Sequence, residues 1–162
     1  MIEYDLVSTV RELSSLRRLD LIDADAVVKW AIEHVASAPS NGALVQIACE
    51  QTPAESFAVD NLLDELLAEN GEPPMDELTA GWTIARLLAE RIIGGSIPAD
   101  VGANKIWWDV AIKVPNLRSR LQVFNGLSSL WEDDAKHRGD YERDIVAAAI
   151  QLLEDPIKST QI

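Results

Sequence analysis

Histidine and carboxylate side chains are the residues of this chain that could bind a metal or carry out acid–base catalysis. The sequence contains two histidines, His34 and His137. A carboxylate-bridged di-metal bundle needs a Glu-x-x-His pair on each of two helices, and the sequence has no such pair. The nearest spacing is Asp134-x-x-His137 at a predicted helix end, which we interpret as solvated surface. We therefore expect neither a metal site nor a cofactor.

Paired carboxylates could also serve as a general acid and a general base. Asp60 and Asp64 are four residues apart on a predicted helix, where two like charges repel each other by ~0.2–0.5 kcal/mol. The apolar periodicity of that helix turns the pair toward solvent, whereas a hydrolase holds its carboxylates in a cleft. We expect that the protein is not an enzyme. An enzyme with an unfamiliar carboxylate site ranks third among the functions we consider, behind binding of a protein partner and self-association.

Two other features lack the neighbours that chemistry would require. The single cysteine, Cys49, lies in an apolar run and has no histidine nearby in sequence, so we predict a small buried side chain rather than a nucleophile. One cysteine cannot form a disulfide within the chain, which agrees with a cytoplasmic protein. Gly94-Gly95 lacks the continuation of a phosphate-binding loop and therefore predicts a helix end.

The most informative feature of the sequence is a long segment with one sign of charge. Between Lys29 and Arg86 there is no Lys or Arg, and these fifty-six residues carry ten carboxylates. Such a segment creates a negative field that bound cations, a basic partner or salt can offset. The net charge of −13 argues against binding of nucleic acid or an anionic membrane, because both depend on clustered Lys and Arg.

Helical periodicity with almost no strand signal predicts an all-α fold. We expect seven or eight helices with short connections, packed irregularly or as a bundle, in one domain over residues 1–162. Two subdomains within that domain are compatible with the length. The helices are predicted at Asp5–Arg18, Ala24–Ser37, Ala43–Glu50, Pro53–Asn70, Met75–Ile93, Pro98–Val114, about Leu117–Leu127 and Tyr141–Glu154.

The helix predicted over Pro53–Asn70 has the clearest pattern. Thr52 is its predicted cap and Gly71 its end. Its apolar arc contains Val59, Leu62, Leu63, Leu66 and Leu67. The opposite arc is acidic and contains Asp60, Asn61, Asp64, Glu65 and Glu69. We expect the carboxylates of this arc to point to solvent.

Phe57 lies, by helical angle, on the same side as Asp60 and Asp64. An aromatic side chain among carboxylates is typical of an interface anchor with a charged rim. The alternative is that Phe57, in the first turn, packs on the preceding segment. The predicted partner-binding residues are Phe57, Asp60, Asp64, Glu65, Glu69, Glu72, Asp76 and Glu77.

Tryptophans mark the next two predicted helices. Trp82 lies on a helix that is apolar on much of its circumference, so we expect it in the core. Trp107 and Trp108 point about 100° apart and cannot share one narrow stripe. We expect one of them to fill the core and the other to lie at a helix boundary or exposed, where it could serve a homodimer interface.

Two stretches of the chain, Ala89–Trp107 (AERIIGGSIPADVGANKIW) and Leu130–Leu153 (LWEDDAKHRGDYERDIVAAAIQLL), resemble small acidic all-helical bacterial proteins of uncharacterised function. The shared features are an Ile-x-x-Gly-x-Ile-Pro element before a helix and a Trp-Glu-Asp loop before a final Ile-x-x-Ala-Ala helix. Some of these proteins look like immunity proteins, which bind and block a toxin made by the same or a sibling cell.

The acidic surface and the resemblance together lead to one functional expectation and two alternatives. We expect a cytoplasmic protein that binds a basic protein partner, possibly a toxin domain, and occludes it. The first alternative is a structural or regulatory helical protein that self-associates. The second is that the acidic surface only keeps the protein soluble.

Overall fold

The computed structural model describes residues 7–36 and 42–155, which form helices and no β-strand. The predicted all-α fold is confirmed, with eight α-helices in the described ranges. These are α1 (Val10–Arg18), α2 (Ala24–His34), α3 (Gly42–Ala48), α4 (Ser56–Glu69), α5 (Glu77–Ile93), α6 (Ala99–Lys105), α7 (Arg118–Asp133) and α8 (Arg138–Glu154). The predicted start at Asp5 and end at Ser37 lie outside the described residues.

The described residues divide into two compact units at the boundary between Ala80 and Gly81. The first unit contains α1–α4 and the start of α5, and the second contains the rest of α5 and α6–α8. The single domain over residues 1–162 stays a prediction.

The core of the first unit forms where α4 packs against α1, α2 and α3. Leu13 and Leu16 of α1 are fully buried, as are Val59, Leu66 and Leu67 of α4. Asp23 caps α2, because its carboxylate accepts a hydrogen bond from the Ala26 N–H. The burial of Val59, Leu66 and Leu67 shows that the predicted apolar arc of α4 faces this core. Within that arc, only Leu62 remains partly exposed.

The start of α4 differs from its prediction. The helix begins at Ser56 rather than Pro53, and the cap is Glu55 rather than Thr52. The Glu55 carboxylate accepts hydrogen bonds from the N–H groups of Phe57, at 3.3 Å, and Ala58, at 2.7 Å. Two carboxylate oxygens thus satisfy donors that an α-helix start leaves open, so no cap is needed upstream. The predicted end is confirmed, since Gly71 follows α4 with φ of 74°.

Most residues of α5 from Gly81 onward are buried. Trp82, Ile84 and Leu88 are each at most 2% exposed, which confirms that this helix is buried on much of its circumference. Gly102 lets α6 approach α5 closely, because a Cβ there would lie 2.4 Å from Cγ1 of Ile92.

The chain after α6 departs from a regular α-helix. It continues as a π-helix over Ile106–Ala111. Trp107 is only partly buried and Trp108 is 61% exposed, so the expectation of an exposed tryptophan is confirmed. The expectation that the other fills the core is wrong, because the π-helix turns Ile106 and Val110 inward instead.

Candidate partner-binding surface

One side of α4 faces solvent and carries the predicted aromatic anchor. Phe57 is 71% exposed, so the alternative in which it packs on the preceding segment is wrong. Asn61, Asp64, Glu65 and Ala68 are also exposed, and their spacing places them on the same side of the helix as Phe57. We call these five residues the α4 face.

Negative charge is concentrated in the unit that carries the α4 face. Its described residues, up to Ala80, include fourteen Asp and Glu but four Lys and Arg, a net charge of −10. The described residues from Gly81 to Asp155 include eleven Asp and Glu and nine Lys and Arg, a net charge of −2. The field of the protein is therefore strongest around the first unit.

Two of the predicted binding carboxylates are neutralised from within the protein. Arg17 of α1 binds Asp60 through both its Nε at 2.8 Å and its Nη2 at 3.3 Å. Arg11 of α1 binds Glu72 at 2.8 Å. Asp60 is only partly exposed, which corrects the expectation that it points freely to solvent. These ion pairs join distant parts of the sequence, so periodicity could not reveal them.

Two more of the predicted carboxylates bind backbone N–H groups near helix starts. The Glu69 carboxylate accepts from the N–H of Ala43 at 3.3 Å, at the beginning of α3. Asp76 accepts from the N–H of Thr79 at 2.7 Å, at the beginning of α5. This hydrogen bond is the main reason that the pKa of Asp76 lies below its ordinary value, and the charge of Arg18 adds to the effect. Glu69 and Asp76 therefore both have structural roles, because each carboxylate binds a backbone N–H near a helix start.

Three of the predicted carboxylates have neither an ion-pair partner nor a hydrogen bond to a backbone N–H among the residues described. They are Asp64 and Glu65 on the α4 face, and Glu77 in the first turn of α5. All three are exposed. These three carboxylates are available to a basic surface, whereas Asp60 and Glu72 are already paired with arginines of α1.

A cavity of about 230 Å³ lies beside the α4 face, between α1 and α4. Leu63 and Met75 line its apolar part, and Asp64 connects it to the α4 face. Ser14 of α1 also lines the cavity and was not singled out by sequence reasoning. A serine on the buried side of an amphipathic helix is the one sequence signal that could have indicated it.

Two surface features of the second unit could also bind a partner. Trp108 is 61% exposed, and Val101 and Ile112 of the same helical segment are 39% and 38% exposed. Separately, a cavity of about 270 Å³ is lined by Trp82 and by Arg120, whose guanidinium lies 5.4 Å from the Trp82 ring centre. Trp108, Val101 and Ile112 thus provide the exposed apolar surface that the homodimer alternative requires.

The Asp134-x-x-His137 pair forms a hydrogen-bonded corner between α7 and α8. Asp134 Oδ2 lies 2.7 Å from His137 Nδ1 and accepts from the Tyr141 hydroxyl at 3.0 Å. The hydrogen bond with Asp134 raises the pKa of His137, and the same bond lowers the pKa of Asp134. Both side chains are substantially exposed, as expected for solvated surface.

Cys49 differs from its prediction, because it is exposed rather than buried. It follows the last turn of α3, where the apolar pattern of that short helix has already ended. Within residues 7–36 and 42–155, no group of three or more His, Cys, Asp or Glu side chains is placed to hold a metal ion. In the same ranges, no helix has the length and apolar character needed to cross a membrane.

Comparison with known proteins identified no related protein. No protein-family model, curated protein or solved structure matches the chain. The surface itself is therefore the basis for a proposed function.

Proposed function

We propose that this protein is a non-enzymatic binding protein that uses the α4 face to dock a basic protein partner. The observation that carries the proposal is the 71% exposure of Phe57 among carboxylates without internal cations. An exposed aromatic side chain can be buried in a partner at low entropic cost, while Asp64 and Glu65 form a charged rim around it.

Charge complementarity determines the kind of partner. The first unit carries a net charge of −10 in its described residues, so a surface rich in Lys and Arg would be attracted over a distance of about one Debye length, roughly 8–10 Å. This attraction accelerates encounter more than it prolongs the complex. Phe57 would instead contribute mainly to the lifetime of the complex.

Occlusion is the mechanism that suits such a surface. A partner that recognises nucleic acid or another polyanion presents clustered Lys and Arg, and the α4 face would cover them. An immunity protein acting on a basic toxin domain in the cytoplasm is the form of this function that the family resemblance implies. The neighbouring open reading frame tests that form, since a toxin-like domain would favour it and a metabolic operon would contradict it.

Association kinetics with a partner isolated by pull-down from the source cell test the proposal. One variant reverses three exposed carboxylates of the first unit to Lys: Asp64, Glu65 and Glu77. The matched control reverses three exposed carboxylates of the second unit: Glu132, Asp133 and Asp144. Both variants change the net charge by the same amount, so their comparison separates a local surface from overall charge.

The two variants should differ most at low salt. We expect the first variant to associate at least ~10-fold more slowly than wild type at low ionic strength, with the difference shrinking as salt rises. The control should lose much less. Equal association rates for the two variants would contradict the proposal and leave the acidic surface with a solubilising role.

Self-association is the second candidate function, and the exposed Trp108 favours it. Together with Val101 and Ile112 it offers apolar surface that a homodimer would bury. Light scattering at high protein concentration distinguishes the two candidates. A monomer would eliminate the self-association function, whereas a dimer that dissociates on Trp108→Ala substitution would support it.

A further inference from the structure

One side of α7 is both apolar and exposed. Val123 and Leu130 are each 47% exposed, and Leu127 between them is partly exposed. Gly126 is exposed as well, and a Cβ placed there would meet no neighbouring atom of the described residues within 4 Å. Their spacing of i, i+3, i+4 and i+7 puts the four residues on one side of the helix. We call this side, which the packing of α7 against α6 and α8 leaves open, the α7 stripe.

The charges of α7 are arranged against its own helix dipole. Arg118 and Arg120 lie in its first turn, and Glu132 and Asp133 lie in its last turn. Cations are unfavourable near the positive N-terminal end of a helix, as anions are near its negative C-terminal end. These two arginines and two acids cancel, so α7 has no net charge, whereas the whole chain carries −13. The arrangement suits a neighbouring helix of the same charge pattern that runs in the opposite direction.

A second copy of α7 is such a helix. If a two-fold axis passes midway between Gly126 and Leu127, Val123 of each copy faces Leu130 of the other. The same axis brings the basic first turn of one copy beside the acidic last turn of its partner. Gly126 then lies next to the axis, where the absence of a side chain allows the two backbones to approach closely. Apolar contact, charge and shape are therefore all complementary between two copies of this surface.

We infer that the protein forms a homodimer in which the α7 stripes of two copies pack against each other in antiparallel orientation. The inference does not depend on the α4 face, which belongs to the other unit, and it uses different residues from Trp108. Contact through the first unit would instead oppose two copies of a surface with a net charge of −10. One pair of helices forms a small interface, so the dimer depends on protein concentration.

Sedimentation equilibrium of the full chain between ~10 μM and ~1 mM measures the dimer dissociation constant. Gly126→Lys places two ammonium groups beside the axis and should weaken the dimer at least ~30-fold. The matched control is Ser129→Lys, which adds the same charge to an exposed position of α7 about 100° around the helix from Leu130. This control should weaken the dimer less than about threefold, because its side chain points away from the partner copy.

Urea unfolding at low protein concentration shows whether Gly126→Lys harms the monomer. Lysine forms helix better than glycine, and the space around Gly126 is open, so the midpoint should equal or exceed that of wild type. Loss of the dimer with an undiminished midpoint assigns the effect to the interface rather than to folding.

Cysteine cross-linking on a Cys49→Ser background tests the orientation of the two helices. Gly126→Cys should form an intermolecular disulfide under mild oxidation, because the two copies of this position lie next to the axis. The control is Ser119→Cys, one turn before Val123 on the same exposed side. In the antiparallel pair the two copies of residue 119 are separated by about 22 Å along the helices, so this variant should not cross-link.

Three results would overturn the inference. The first is a protein that remains monomeric at ~1 mM, the highest concentration tested. The second is a dimer that survives Gly126→Lys but dissociates on Trp108→Ala substitution, because the interface would then contain Trp108 instead. The third is cross-linking through Ser119→Cys rather than Gly126→Cys, which would require parallel helices. A dimer that Gly126→Lys dissociates and Trp108→Ala leaves intact supports the inference, whatever partner the α4 face binds.

Discussion

The ion pair between Arg17 and Asp60 allows a quantitative test of the structure. Asp60→Ala removes a carboxylate that joins α1 to α4, and Asp64→Ala removes a carboxylate one turn further along α4. Both substitutions introduce the same residue into the same helix, so their gains in helix propensity cancel. The difference between them isolates the contribution of the ion pair.

The expected magnitude follows from burial and geometry. Exposed ion pairs contribute ~0.2–1 kcal/mol, whereas breaking a buried pair costs ~3–5 kcal/mol. The Arg17 side chain is 15% exposed and the Asp60 side chain 47% exposed, so this pair lies between the two limits. Its two hydrogen bonds, at 2.8 and 3.3 Å, involve charged groups, and we expect Asp60→Ala to cost about 1.5–3 kcal/mol.

Urea unfolding of the two variants measures this difference. Asp64→Ala should remain within about 0.5 kcal/mol of wild type, as exposed substitutions usually do. The Asp60→Ala midpoint should fall with little change in slope, and added salt should reduce the loss only in part because Arg17 is mostly buried. Equal stabilities for the two variants would refute the assigned ion pair and the packing of α1 on α4.

Three further predictions concern the core, the dimer alternative and pH. Leu66→Ala, at a position 1% exposed, should cost ~2–5 kcal/mol in urea unfolding, and a loss below about 1 kcal/mol would mean that α4 faces another way. Trp108→Ala should leave the free energy of unfolding of a monomer within about 0.5 kcal/mol, because the indole is 61% exposed; a large loss in a monomeric protein would contradict that exposure. The hydrogen bond with Asp134 raises the pKa of His137 above its ordinary value near 6.5 and lowers that of Asp134 below its ordinary value near 3.8. The stabilisation that His137 contributes is therefore complete below about pH 6.5 and is lost as pH rises through its raised pKa. The stabilisation that Asp134 contributes is present above about pH 3.8 and is lost as pH falls through its lowered pKa. Wild type should accordingly exceed His137→Gln in stability more at pH 5 than at pH 8, and a pH-independent difference would contradict the pair.

Local pattern was sufficient to predict much of the fold. The 3.6-residue periodicity indicated all eight helices, and the residues it placed on the inner arc of α4 are buried, apart from the partly exposed Leu62. Helix starts were less predictable, because the Glu55 carboxylate, rather than the predicted Thr52, accepts the first N–H groups of α4. The π-helix over Ile106–Ala111 has no sequence signal of its own.

The candidate surface was predictable only in outline. Helical angle alone placed Phe57 with Asp64, and both are exposed as the interface interpretation requires. It could not show that Asp60 is bound by Arg17, because the two residues are forty-three positions apart. The cavity at Ser14 likewise depends on how α1 packs on α4, and this tertiary contact is not encoded in the periodicity of either helix.

The most direct test of the α4 face is the dissociation rate of the partner complex after removal of the Phe57 side chain. Phe57→Ala is compared with Ile32→Ala, which removes another exposed apolar side chain of the first unit, 54% exposed, on α2 rather than α4. An interface anchor contributes at least ~2 kcal/mol, so Phe57→Ala should dissociate about thirtyfold faster than wild type, and Ile32→Ala should dissociate at the wild-type rate. Wild-type dissociation for Phe57→Ala would contradict the proposed docking surface.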